Sequence, residues 1–180
     1  MSDFESITAV TECSLLVAFT DLTGFARMAR QVSPRDLWAT LSEHYIMVGD
    51  LVPQAGGKVV KFMGDGSLLV FPEDKVDAGV RCLKQFKAET DKWFEEKGLA
   101  CRLKVAAHFG PLLCGPIGTR QEQRFDVSGL TVMTAATLGS YSFAITPQVF
   151  RKLTPETRKL FKKHTPPIRY IPVESKHVDG

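Results

Sequence analysis

Two apolar runs, Lys58-Val-Val-Lys-Phe-Met63 and Ser67-Leu-Leu-Val-Phe71, flank Gly64-Asp65-Gly66 and constrain the fold more than any other stretch. Asp-Gly readily supplies the positive φ angles of a tight turn, so the stretch predicts a β-hairpin. A helical pattern stands on each side of it. Ahead of it, Ser33-Pro34 predicts an N-cap with Pro at the first helical position, and Asp36 falls at the capping-box distance. Leu37, Leu41, Tyr45, Val48 and Val52 then form one apolar stripe, closed by Pro53 and Gly56-Gly57. Behind the hairpin, Val76, Val80, Leu83, Thr90 and Phe94 outline a second helix that stops near Gly98. Leu15-Leu-Val-Ala-Phe19 is a continuous apolar run, as expected of a central strand buried on both faces. Leu103, Val105, Ala107 and Phe109 alternate along one face of another strand. The order β-α-β-β-α-β predicts an α+β fold with a ferredoxin-like split βαβ core, one mostly antiparallel sheet, and appended strands and helices.

Residues 1–13 are polar and read as a loose lead-in. Gly110-Pro111 is expected to turn the chain into Leu112-Leu-Cys114 as a second hairpin, and Arg124-Phe-Asp-Val127 is a short strand. Gly129 opens a helix through Leu138, and Pro147–Leu153 and Pro155–Lys163 read as short helices. Ile168–Val173 reads as an edge strand, because Pro166, Pro167 and Pro172 cannot serve a central one. With no repeat or linker, residues 1–180 are expected to form a single domain.

Apolar residues at 44% and charged residues at 24% place the chain among globular proteins, and a net charge of +3 does not argue for nucleic acid. Cys13, Cys82, Cys101 and Cys114 form no metal or C-x-x-C spacing, as expected of idle thiols in a reducing compartment. No stretch resembles a signal peptide or a bilayer span, so a cytoplasmic protein without membrane contact is expected.

Two carboxylates carry the chemistry. Asp21 lies in Phe19-Thr-Asp-Leu-Thr-Gly-Phe25, after the first strand, and Asp65 lies in the hairpin turn. In this topology both reach one place, where a pair of acids can hold divalent cations. The backbone N–H groups of Leu22, Thr23, Gly24 and Phe25 would lie at a helix start, a natural phosphate cradle. An N-cap role for Asp21 and a turn role for Asp65 are the alternatives. Lys61 is expected to share a strand face with Val59 and Met63, an odd place for a solvated lysine. Asp126, between Phe125 and Val127, needs a partner or a ligand donor. His44, His108, His164 and His177 have no metal spacing and read as structural or exposed, and Trp38 and Trp93 as packing residues or dimer contacts.

On these residues the chain resembles the catalytic domain of class III nucleotidyl cyclases, the adenylate and guanylate cyclase family. The matching stretches are Phe19–Phe25, Gly57–Asp65, Ala106–Gly110 with Gly115 and Gly118, and Phe125–Val132 running on to Ala135-Ala136 and Leu138, in family order from about residue 14 to 173. The resemblance implies that Asp21 and Asp65 hold two Mg²⁺ or Mn²⁺ ions, and that Leu22 to Phe25 cradle the triphosphate. It further implies that Lys61 and Asp126 recognise the purine in the adenine-selecting combination. Family members act as head-to-tail dimers, with metals from one subunit and base recognition from the other. The implied reaction is attack of the ribose 3′-oxygen of ATP on its α-phosphorus, giving cyclic AMP and pyrophosphate.

The departures are specific. Met133 stands where the family has an asparagine, and Thr137 where it has an arginine, the residues that orient ribose and neutralise the α-phosphate. His164-Thr-Pro-Pro167 stands roughly where the family carries a phosphate-gripping lysine. Loss of one preorganised donor costs ~10²–10³-fold in rate, so weak activity is expected. Arg120 and Arg124 are candidate substitutes or ordinary surface arginines. The alternative is a catalytically impaired cyclase-homology domain acting as a nucleotide-binding or dimerisation module. A diguanylate cyclase fits less well, because the double-Gly acidic signature of that family is missing.

Overall fold

A computed structural model describes residues 4–139 and 141–175; His177 lies outside them. The elements in chain order are β1 (Thr11–Thr23), α1 (Phe25–Ala29), α2 (Pro34–Gln54), β2 (Lys58–Met63), β3 (Gly66–Pro72), α3 (Val76–Glu96), β4 (Arg102–Gly118), β5 (Gln123–Ser128), α4 (Leu130–Ala136), β6 (Phe143–Ile145), α5 (Pro147–Lys152), α6 (Pro155–Arg158), β7 (Phe161–His164) and β8 (Arg169–Pro172). The described strands form one sheet in the order β2-β3-β1-β4-β6-β8-β7, with β5 paired to β4. The run β2-β3-β1-β4 is all antiparallel and is the expected split βαβ core. β1 is central: it pairs with β3 from Leu15 to Thr20 and with β4 along its whole length.

One face of the sheet packs on α2, α3 and α5 through Leu16, Leu69, Phe71, Val80, Phe86, Leu103 and Ile145. The other buries a smaller cluster, including Leu15, Val17, Leu68, Val70 and Val127, beneath α4 and Phe4. Ser33 caps α2 as expected, accepting from the Asp36 N–H at 3.2 Å. The buried stripe of α2 is Thr40, His44, Val48 and Val52, rotated from the expected Leu37-Leu41-Tyr45 line. The stripe expected on α3 is buried throughout. No helix among the described residues is long and apolar enough to cross a membrane.

Four expectations are corrected. β1 begins at Thr11 and Phe4 is buried, so much of the lead-in is structured, held by β4 pairing and by the edge-on Phe4–Phe125 ring contact. Gly110-Pro111 does not turn: β4 runs straight through, with Pro111 opposite Ser14. Proline is tolerated there because β6 leaves that edge of β4 at Ala107 and β5 joins it only at Leu113. The second hairpin turn falls instead between β4 and β5, where the Thr119 N–H donates to the Glu122 carbonyl. The helix expected through Lys163 ends at Arg158, and Phe161–His164 forms β7, which takes the sheet edge, so β8 lies inside the sheet.

Candidate active site

Thr20 and Ser67 face each other across β1 and β3, both buried, with their hydroxyl oxygens 2.6 Å apart. The Ser67 N–H also donates to Thr20 Oγ1 at 3.2 Å. This polar stitch locks the two strands one residue before Asp21 and two residues after Asp65. Asp21 still belongs to β1, and its side chain is exposed. Asp65 sits in the two-residue turn between β2 and β3 and is half-buried. No residue other than glycine has positive φ among those described, so the turn takes its left-handed residue from Gly64 (φ 64°) and not from Asp65. That is the position where a type II′ turn places glycine. Gly66 is required for a different reason: a Cβ there would stand 2.6 Å from the Thr20 carbonyl oxygen.

The two carboxylates meet. Asp65 Oδ2 accepts the Leu22 N–H at 3.3 Å, which draws the turn onto β1. The Asp65 carboxyl is pushed above its usual range, first by burial and then by the negative charge of Asp21. Neither acid forms an ion pair among the described residues. Like charges brought together without a counter-charge fit a divalent cation. No cluster of three or more His, Cys, Asp or Glu side chains is available among the described residues. A cation here would therefore need ligand or solvent oxygens to complete its shell.

Leu22 and Thr23 extend β1 opposite Leu103 and Arg102, so they do not start a helix as expected. The Leu22 N–H is spent on Asp65. Gly24 is the N-cap of the five-residue α1, which Phe25 opens. Lys104, absent from the sequence reading, pairs in register with Asp21 and lines with it a cavity of about 280 Å³ that Tyr141, Ala136 and Gly139 also border. Lys104 forms no ion pair among the described residues. The β4 alternation held the signal, because Lys104 falls on the face opposite Leu103 and Val105. Tyr141, also unforeseen, stands 2.7 Å from His164 Nε2 through its hydroxyl.

Lys61 and Asp126 are joined, Nζ to Oδ2, at 2.5 Å. Simple alternation predicts Lys61 on one face with Val59 and Met63; Met63 stays with it, two residues on in unbroken register, but Val59 does not. A bulge at Val60 leaves Val59 opposite Leu69 and Lys61 opposite Leu68. Leu69 belongs to the helix-side core and Leu68 to the other, so one extra residue carries Lys61 through the sheet. β5 pairs with β4 and also touches β2, bringing Asp126 to meet it. Asp126 Oδ1 also accepts the Val127 N–H at 2.8 Å. A cavity of about 720 Å³ opens here, lined by both residues and by Phe62, Ile117 and Phe125. Arg124 reaches this cavity but is paired with Glu122. On α4, Met133 is 64% exposed, and the Thr137 hydroxyl donates to the Met133 carbonyl at 2.9 Å.

A βαββαβ sheet with paired carboxylates from β1 and the β2–β3 turn, and a separate lysine–aspartate pair joining β2 to β5, has the layout of a nucleotide-cyclase type of domain. The chain belongs to the adenylate and guanylate cyclase catalytic domain family, whose model matches residues 7–174. It is 26% identical to adenylate cyclase 2 of Rhizobium meliloti over 138 residues, covering 73% of this chain and 38% of that protein. It is 21% identical to an adenylate cyclase of Anabaena cylindrica over 161 residues, covering 81% of this chain and 32% of that one. The chain thus spans under two fifths of the length of these curated relatives. Among solved structures, the adenylyl cyclase CyaB from P. aeruginosa superposes with a TM-score of 0.79 at 14% identity, covering 96% of this chain and all of that one. A bacterial light-regulated adenylyl cyclase superposes at 0.82 and 18% identity, covering 96% and 54%.

Proposed function

We propose that this domain binds a metal–nucleoside triphosphate, ATP by preference, and converts it slowly to cyclic AMP as one half of a head-to-tail homodimer. The observation that carries the reading is the convergence of Asp21 and Asp65 from separate strands, with no ion pair to offset them among the described residues. Bound Mg²⁺ or Mn²⁺ would favour the ribose 3′-alkoxide and offset the charge of the triphosphate. Asp21 and Asp65 hold the cation, and Leu22 orients Asp65 by donating to it. Lys104, without an ion pair among the described residues and in the same cavity as Asp21, takes up phosphate charge. Lys61 and Asp126 offer a donor and an acceptor side by side, matching the ring nitrogen and exocyclic amine of adenine.

The base cavity and the Asp21 cavity share no lining residue. That separation supports a site completed by a second copy, whose Lys61 and Asp126 meet the phosphate end held by the first. Exposed Leu113, Ile117, Leu130 and Met133 supply apolar surface for such a contact.

A second reading, a nucleotide-binding or dimerisation module without turnover, is favoured by α4. Met133 offers no hydrogen-bond donor, and the Thr137 hydroxyl is already engaged by the helix backbone. The test is to incubate the purified protein with Mn²⁺ and either ATP or GTP and measure cyclic product by mass spectrometry. Slow cyclic AMP formation that Asp21→Asn abolishes supports the cyclase reading. No cyclic product from either nucleotide removes it. If Met133→Asn with Thr137→Arg then starts turnover, the loss lies in those two donors, each expected to be worth ~10²–10³-fold.

A further inference from the structure

We propose that Tyr45 on α2 is a positioning residue that holds the Asp65 turn in place for cation binding, acting through the Gly64 carbonyl. The inference rests on the reading of Asp21 and Asp65 as the cation-binding pair. The turn it concerns is poorly supported by the sheet itself. β2 is an edge strand, and the bulge at Val60 interrupts its ladder with β3. At the tip, pairing ends with Met63 opposite Gly66. Asp21 also repels Asp65, which works against the approach of the turn to β1.

Two contacts from α2 oppose that tendency. The Tyr45 hydroxyl donates to the Gly64 carbonyl oxygen. The Tyr45 ring stacks on Phe62, with centroids 3.8 Å apart and planes within 8°. The Gly64 carbonyl belongs to the peptide unit that continues into Asp65, and that unit is planar and rigid. Fixing its oxygen therefore fixes the Asp65 N and Cα as well. α2 is a firm anchor, because the residue before Tyr45 is the buried His44 and the next turn contributes the buried Val48. Asp65 is thus held from two sides, by Leu22 N–H on the carboxylate and by Tyr45 on the backbone before it. A tyrosine hydroxyl is protonated at neutral pH and can donate there. Phe62 lies between Lys61 and Asp65, so the same clamp steadies the end of β2 that carries Lys61 and leads into the Asp65 turn.

The discriminating variant is Tyr45→Phe, which keeps the stacked ring and removes only the donor. Mn²⁺ binding is read by electron paramagnetic resonance in the presence of a non-cyclisable ATP analogue, and amide exchange at residues 63–66 is read in metal-free protein. Loss of one such hydrogen bond is expected to weaken Mn²⁺ about three- to ten-fold. Exchange at the turn should rise, with exchange in β1 and α3 unchanged. Wild-type Mn²⁺ affinity together with unchanged exchange at 63–66 would overturn the proposal. Asp65→Asn is run in parallel to keep the two ideas apart. If wild type and Asp65→Asn bind Mn²⁺ alike, the cation reading of the site fails, and with it any role of Tyr45 in cation binding.

Discussion

His44 provides a quantitative test of how α2 and α3 are packed. Its side chain is 2% exposed, stacks on Phe86 at 5.5 Å and meets Phe94 at 6.4 Å. Its Nδ1 is buried without a hydrogen-bond partner among the described residues. Burial lowers its pKa from 6.5 to about 4. Between those values the unfolded chain binds a proton that the folded chain refuses, so stability must fall as the medium is acidified. The contribution is fully present above pH 6.5, declines through the interval, and is spent once the folded histidine is itself protonated near pH 4. A gap from 6.5 to about 4, at ~1.4 kcal/mol per pH unit, amounts to about 3 kcal/mol. That is a large share of the ~5–15 kcal/mol that holds a typical domain together. The assay is urea unfolding at pH 7.0 and pH 4.5, for wild type and for His44→Leu, which keeps an apolar side chain among the phenylalanines. Carboxylates titrate in both proteins, so the informative quantity is the difference between them. Wild type should lose about 2–3 kcal/mol more than the variant on acidification. Equal losses would show that His44 is not held neutral in an apolar contact, and would refute the packing argument.

Gly66→Ala should push β3 away from β1, because the new methyl meets the Thr20 carbonyl oxygen at 2.6 Å, backbone that cannot step aside. The expected cost is on the order of 1–3 kcal/mol in denaturant unfolding, accompanied by weaker Mn²⁺–nucleotide binding; an unchanged midpoint and affinity would contradict the close approach. The thiols should be slow to react. Burial, with Cys114 beside it, pushes Cys13 up to about 12, and burial takes Cys82 to about 11. At pH 8 the folded protein should therefore resist an aromatic disulfide reagent that labels the urea-unfolded chain at once, and rapid labelling of buried Cys82 or half-buried Cys13 in the native state would count against their raised pKa.

Much of the core was legible because its signals are local. The Leu15–Phe19 run, the α3 stripe and the β4 alternation each report burial within a few residues of themselves. Each acid stood out locally, one closing an apolar run and the other in a glycine turn, whereas their convergence depends on the sheet order that sets β1 beside β3. Features that depend on distant partners were misread. Pro111 looked like a turn until the gap between β5 and β6 on that edge of β4 was known. β6 is only three residues long and carries no periodicity of its own, although all three are buried. β8 looked like an edge strand because nothing in it announces that β7 will cover it.

Sequence periodicity alone was enough to determine the βαββαβ order and the central place of β1, since strand and helix repeats are properties of neighbouring residues. Which face Lys61 occupies was decided by tertiary structure, because a single unpaired residue at Val60 inverts every side chain beyond it and leaves no compositional trace. The meeting of Asp21 with Asp65, and of Tyr45 with the turn between β2 and β3, was decided there too. Those contacts join residues far apart in sequence, and only the completed sheet brings them within reach of one another.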